Sequence, residues 1–251
     1  MNSKLWRAVW CGLVASCVWA ASVPAWAAGA GSLAPPEPSI IPTRWELALE
    51  PGPLRVVVLD VPGVGERAYY YMTYRVTNRS GEDVFFAPMF ELATDRGELI
   101  AGGRDVPRWV SQELLRRLRN PFLEDQVGII GPVQQGVEYA KDGLVVWPVG
   151  DTAVDELTVH LIGFSGESRT VTTRDAKTGK PIEVTLRKTY MIPFRAPGHL
   201  LDRRASTEGG RTLIQDRGRW IMREPGTIMA DGGNDRNGAD LEPGAMSGSA
   251  R

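Results

Sequence analysis

Residues Ala68 to Ile100 constrain the fold most. The stretch reads AYYYMTYRVTN, then RSGED, then VFFAPMFELATDRGELI. Its first run alternates at period two: Tyr70, Met72, Tyr74 and Val76 fall on one side, and Tyr69, Tyr71, Thr73, Arg75 and Thr77 on the other. Aromatic and β-branched residues at that period specify a strand, because successive side chains on a pleated backbone point to opposite faces. Asn78, Ser80 and Gly81 supply a turn: Asn and Gly tolerate positive φ and Ser bonds its own backbone. A second β-rich run follows, broken at Pro88, and Asp95-Arg96-Gly97 turns the chain again. The expectation is a β-meander with one buried aromatic face, formed by Tyr70, Met72, Tyr74 and Val76.

The rest of the chain repeats this pattern. Trp45–Glu50 reads as a short strand, interrupted by Pro51-Gly52-Pro53, with Leu54–Asp60 as another. Val137–Ala140 and Leu144–Trp147 flank Lys141-Asp142-Gly143, a hairpin signal. Val154 to Phe164 alternates, with Leu157, Val159 and Leu161 on one face and His160 on the other. Arg169–Arg174 and Ile182–Phe194 flank a second hairpin signal at residues 175–179. About nine strands with turns every eight to twelve residues is the spacing of a sandwich. Val106 to Asn120 breaks the pattern: Val110, Leu114 and Leu118 recur every four residues, and Pro107 suits a first helical turn. The fold class expected is therefore mainly β, an antiparallel β-sandwich with one inserted helix at about 106–120.

The termini read differently. Residues 1–27 have the parts of a secretory signal: Lys4 and Arg7, then an uncharged, mostly apolar run from Ala8 to Ala21, then Ala25-Trp26-Ala27 at the cleavage position. A transmembrane anchor is disfavoured, since a span needs about 20 apolar residues and this run breaks at Pro24. Val14-Ala15-Ser16-Cys17 raises a lipid anchor at Cys17, but the residues after it stay apolar, which favours simple secretion. The protein is expected to be secreted or periplasmic. Both cysteines, Cys11 and Cys17, lie in this segment; with it removed the mature chain has no thiol, and a core alone must hold the fold. Residues 28–43 are rich in Pro, Gly and Ser and read as a linker. The sandwich is assigned to 44–196, with 197–228 a loop carrying a short docking segment, Arg219–Arg223. From 229 to 251 no hydrophobic pattern is present, and a disordered tail is expected.

Tyr74-Arg75-Val76-Thr77-Asn78, Ser80-Gly81-Glu82-Asp83, Phe90-x-Leu92 and Asp95-x-Gly97 resemble the meander of secreted immunoglobulin-like sandwich domains of bacterial envelope proteins. There a strand ending V-x-N is followed by a short S/T-G turn and a strand ending L-x-x-x-x-G. The resemblance covers about thirty residues and implies a scaffold or adhesion-type domain, with no catalytic residues. The chain departs from antibody-like domains in lacking their disulfide and in carrying the helix.

Candidate chemistry is sparse. Gly163-Phe164-Ser165-Gly166-Glu167 falls short of a nucleophile elbow, because Glu167 stands where the second glycine must be. The histidines, His160 and His199, lie far apart in sequence and, with no mature cysteine, a zinc set would need carboxylates. Gly233 to Gly238 does not place acids where a calcium loop needs them. Neither Glu124-Asp125 nor Asp155-Glu156 makes an acid/base couple, since strand neighbours face apart. No cofactor and no enzymatic activity is expected.

The helix carries the strongest local charge. Arg104, Arg108, Arg116, Arg117 and Arg119 stand against Asp105 and Glu113, in a chain whose formal net charge is −1. That overall charge argues against a nucleic-acid partner. Arg108, Arg116, Arg117 and Arg119 form a candidate anion-binding patch, with Trp109 as a stacking surface; the plain alternative is a solvated helix face. On an ideal helix Arg108 and Arg119 share a face, Arg116 flanks it, and Arg117 lies toward Val110.

The functional expectation is a non-catalytic binding or scaffolding role at the cell envelope, toward an envelope protein or an anionic polymer. The alternative is a polysaccharide-acting enzyme or its carbohydrate-binding accessory domain. The tryptophans separate the two: a sugar platform needs Trp45, Trp109, Trp147 or Trp220 coplanar and exposed, whereas a scaffold buries them.

Overall fold

The structure, a computed structural model, describes residues 35–175 and 178–227. The expected signal segment 1–27, the expected linker up to residue 34 and the expected tail 229–251 lie outside them.

Two antiparallel sheets face each other. The first is built on β1 (Leu47–Val61), β2 (Gly65–Asn78) and β8 (Gly136–Pro148), with β12 (Arg211–Thr212) at one edge and β6 (Leu123–Glu124) paired in parallel at the other. The second runs β10 (Ser168–Arg174), β11 (Pro181–Arg195), β9 (Glu156–Ile162), β4 (Met89–Thr94), β5 (Leu99–Ala101); β13 (Ile214–Gln215) and β14 (Arg219–Arg223) also pair with β11. A small pair, β3 (Val84–Phe86) and β7 (Gly131–Val133), forms a separate sheet whose Val84, Phe86 and Val133 join the main core. The chain is thus mainly β, a two-sheet sandwich with one inserted helix, α1 (Arg108–Leu118).

Alternation in β2 sets the core. Tyr70, Met72, Tyr74 and Val76 are buried, as their spacing predicts, among Leu54, Val145 and Trp147 of their own sheet and Phe90, Leu92, Val159, Leu161, Ile192 and Phe194 of the other. The Tyr74 ring lies 4.8 Å from Phe90 and meets Phe164 edge-on at 5.8 Å, the tilted geometries that ring quadrupoles prefer.

The opposite face of β2 is buried as well. Tyr69 and Tyr71 join Val57, Leu59, Val61, Leu144 and Val146 in a second cluster, closed by Val110 and Leu114 of α1. The four-residue spacing of the helix therefore faces the sheet as expected, and β2 is sandwiched on both sides.

Two turn signals are overridden. Pro51-Gly52-Pro53 does not split two strands; it makes a register shift inside the single strand β1. A Cβ at Gly52 would lie 2.7 Å from the Thr73 carbonyl oxygen, so only glycine lets the irregular strand approach β2. Lys141-Asp142-Gly143 is not a hairpin either, because β8 runs straight through it. Gly143 is paired with Tyr74, and a Cβ there would lie 2.2 Å from the ring carbon bearing the hydroxyl. The glycine makes room for the core tyrosine. β10 and β11 do pair as the second hairpin signal predicts, from Ser168↔Arg187 to Arg174↔Pro181.

The sandwich also extends past residue 196. Leu200, Ala205 and Leu213 are buried in the main core, and Arg219–Arg223 docks as a strand along β11.

Candidate functional site

The arginines of α1 are held in different ways. The helix ends at Leu118 and Arg119 turns left-handed (φ 53°), so Arg119 leaves the face it would share with Arg108 on a longer helix. Arg116 donates to both Glu113 carboxylate oxygens at 2.7 and 2.8 Å, and Arg117 donates to Oε1 at 2.7 Å. These bonds hold the Glu113 carboxyl down to about 2. Arg119 lies 3.5 Å from Glu208, and both side chains are exposed. Arg108 opens the helix and is exposed. The structure thus brings Arg116 and Arg117 together on one carboxylate and leaves Arg108 at the other end of the helix. Arg116 and Arg117 lie in the last turn, where they complement the helix dipole.

A groove of about 470 Å³ opens beside the C-terminal end of α1, lined by Glu50, Thr73, Arg75, Leu118, Asn120, Leu123 and Asp142 among others. Arg75 grips Asp142 bidentately at 2.7 and 3.0 Å, and the Asn120 amide donates to the same carboxylate at 3.0 Å. The bond from Arg75 lowers the Asp142 carboxyl most, against some burial, with Asn120 adding to it. Sequence reasoning missed this groove by reading Asp142 as a turn residue; the signal was that Arg75 and Asp142 occupy paired positions on neighbouring strands.

Two buried charge clusters flank the second sheet. Lys188, 2% exposed, places its ammonium 2.8 Å from Glu46, 3.0 Å from the Ser39 carbonyl and 3.5 Å from Glu167, over the Trp220 ring. Burial alone would raise the Glu167 carboxyl, but the Ser39 amide and hydroxyl, together with Lys188, outweigh it and hold it below its ordinary value. This knot ties residues 39–46 to β11. On the sheet's other face Arg223 is fully buried, donates to Glu91 at 2.5 Å and bonds the Thr227 carbonyl; the Gly226 amide donates to the second Glu91 oxygen at 2.8 Å. His160, on the strand beside Glu91, is 3% exposed, although its place opposite Leu157, Val159 and Leu161 predicts a half-buried or surface histidine. Burial, and secondly the Arg223 charge, depress its imidazole to about 3.

The remaining sequence candidates find structural places. Ser165 accepts a hydrogen bond from the Glu167 amide at 3.2 Å, which is a turn contact. Among the described residues no group of three or more His, Cys, Asp or Glu is placed to hold a metal ion, and no helix is long and apolar enough to cross a membrane. Gly233 to Gly238 lies outside the described residues. Trp147 is fully buried in the main core, Trp45 and Trp220 pack half-buried against it, and Trp109 is 36% exposed on α1. The four do not form one exposed plane.

Comparison of the chain with family models, with curated proteins and with solved structures found no match.

Proposed function

We propose that this chain is a non-catalytic, secreted or periplasmic β-sandwich protein with a binding or scaffolding role at the cell envelope. The observation that carries the reading is how the aromatic residues are used. Trp147, Tyr70, Tyr74, Phe90 and Phe164 fill the space between the sheets, and Trp45 and Trp220 cover its margin. A sugar-binding platform would present tryptophans to solvent in one plane; of Trp45, Trp109, Trp147 and Trp220, Trp109 alone is exposed, which favours the binding reading over the polysaccharide-acting alternative. The charged side chains point the same way. Arg75, Arg116 and Arg117 pair with carboxylates at the surface, and Lys188 and Arg223 pair with carboxylates in the interior, so the surface rests on a braced framework. Rigid, preformed surfaces bind with little ordering cost.

The test is recovery of partners from envelope extract by the exported protein, at low and high salt, alongside an Arg→Ser triple variant at Arg108, Arg116 and Arg119. The reading expects a discrete envelope partner with wild type. Recovery of none at either salt, or turnover of an extracellular polysaccharide by the purified protein, would contradict it. A partner lost by the triple variant would place the contact on α1, and a partner retained would place it elsewhere.

A further inference from the structure

The edges of the two sheets differ sharply. An edge strand presents unpaired N–H and C=O groups, and folded proteins usually keep such edges short, bulged or covered. Here β12 and β6, which end the first sheet, are two residues long, β5, at one end of the second, is three, and β14, outside β11, is five; β1, which β12 pairs only at Arg55 and Val56, is mostly buried or half-buried. The other end is β10, seven residues without proline. It pairs with β11 position for position from Ser168↔Arg187 to Arg174↔Pro181, with no register shift.

This pair projects as an arm. Next to it, β9 joins β11 only from Thr189 onward, and β14 only from Arg187 onward. Every residue of β10 except Val171 is exposed, and Val171 is half-buried. On one side of the arm lie Val171 opposite Val184 and Thr173 opposite Ile182; Ile182 is 40% exposed. The other side carries Thr170 opposite Thr185 and Thr172 opposite Glu183. A two-stranded ribbon is marginally stable by itself, and a third strand adds both main-chain bonds and side-chain contacts.

Charge selects the occupant. Strand β10 carries Arg169 and Arg174 and no acid, whereas the whole chain is net negative; Arg169 already lies 3.3 Å from Glu167 and donates to the Ser39 hydroxyl at 3.2 Å, so the selecting charge rests mainly on Arg174. We propose that β10 is a strand-docking edge that takes an extended acidic segment of an envelope protein by main-chain pairing. The proposal rests on the binding role above and names the surface for it. An antiparallel guest would place carboxylates opposite Arg174 and Arg169 and an apolar residue opposite Val171. Read along the guest, that is acid, two residues, apolar, one residue, acid.

The probe is a labelled eight-residue peptide with carboxylates at positions 2 and 7, valine at 5 and threonine elsewhere, followed by fluorescence anisotropy against the full exported chain. Saturable binding that weakens with salt is expected, since exposed charges are screened over about 8–10 Å near physiological ionic strength. Arg174→Glu should weaken it at least tenfold, and a peptide with lysine at position 2 should recover the loss. Arg174 is exposed and donates to the Gly179 carbonyl in the adjoining turn, so the fold should tolerate the change. With wild-type protein, peptides N-methylated at alternate amides give a second readout: one phase should abolish binding and the other should keep it, because only alternate amides of an added strand face the edge. Absence of saturable binding, indifference to Arg174→Glu, or equal behaviour of both methylation phases would overturn the proposal. So would sedimentation showing β10 already paired with a second copy of this chain. If Arg174→Glu recovers the same envelope partner as wild type, the edge is wrong and the binding role stands; if wild type recovers no envelope partner, the binding role itself fails.

Discussion

At the scale of single residues, two contacts carry sharp consequences. Gly143 sits where a Cβ would strike the Tyr74 ring. Gly143→Ala should cost about 1–3 kcal/mol, the usual cost of overpacking a filled core. Tyr74→Ala should cost about 3–5 kcal/mol. The pair should be strongly non-additive in urea unfolding, because removing the ring frees the space that the methyl needs; additive losses would show that the two do not touch. His160 makes a pH prediction. Its pKa is lowered to about 3 in the fold, against about 6.5 when unfolded. Between those values the unfolded chain binds a proton that the folded chain does not, so stability falls as pH drops from about 6.5 toward 3. The Glu113 and Asp142 carboxyls are depressed, so their losses come at lower pH. His160→Gln should therefore flatten the unfolding midpoint between about pH 6.5 and 4.5, and an unchanged slope there would remove His160 as its cause. The alternation of Tyr70, Met72, Tyr74 and Val76 was legible because period two is local. The burial of Tyr69, Tyr71 and His160 was not, because α1 covers the tyrosines and His160 pairs with Glu91, which Arg223 and Gly226 hold from far along the chain.

At the scale of elements, α1 is the clearest case of a sequence pattern with a structural use. Val110 and Leu114 are fully buried against the outer face of the first sheet. Leu114→Ala should cost about 2–5 kcal/mol, read as a shifted denaturant midpoint with an unchanged slope. A loss below about 0.5 kcal/mol would mean that the helix is a surface appendage. The helix was readable from its four-residue spacing, but its end was not. The left-handed turn at Arg119 falls one residue earlier than Asn120-Pro121 suggests, and it separates Arg119 from Arg108. The misread turns share one cause. Pro-Gly-Pro and Asp-Gly favour turns locally, yet each glycine here answers a long-range demand: Gly52 for Thr73 and Gly143 for Tyr74. The hairpin after β10 was legible because its turn and its pairing are both local.

At the scale of the whole molecule, the sandwich is closed by pieces that carry no periodic signal. Strands of two residues, such as β12 and β13, cannot show alternation, so the incorporation of residues 211–215 could not be read from sequence. Ser39 belongs to a stretch that reads as linker, but its amide, hydroxyl and carbonyl are all taken by Glu167 and Lys188. The candidate sites were less legible than the fold for the same reason: the Arg75–Asp142–Asn120 groove and the β10 edge exist only once strands are paired. What remains is a braced sandwich with an exposed outer strand at β10, and the central claim is that it binds at the envelope. The most direct measurement is photocrosslinking of the exported chain in intact cells, with the reactive residue placed at exposed Thr172 on β10, Gln112 on α1 or Glu66 at the β1–β2 turn. The account predicts a discrete adduct from Thr172, fractionating with the envelope, and none from Glu66. A chain retained in the cytoplasm, or no discrete adduct from any of the three positions, would contradict it.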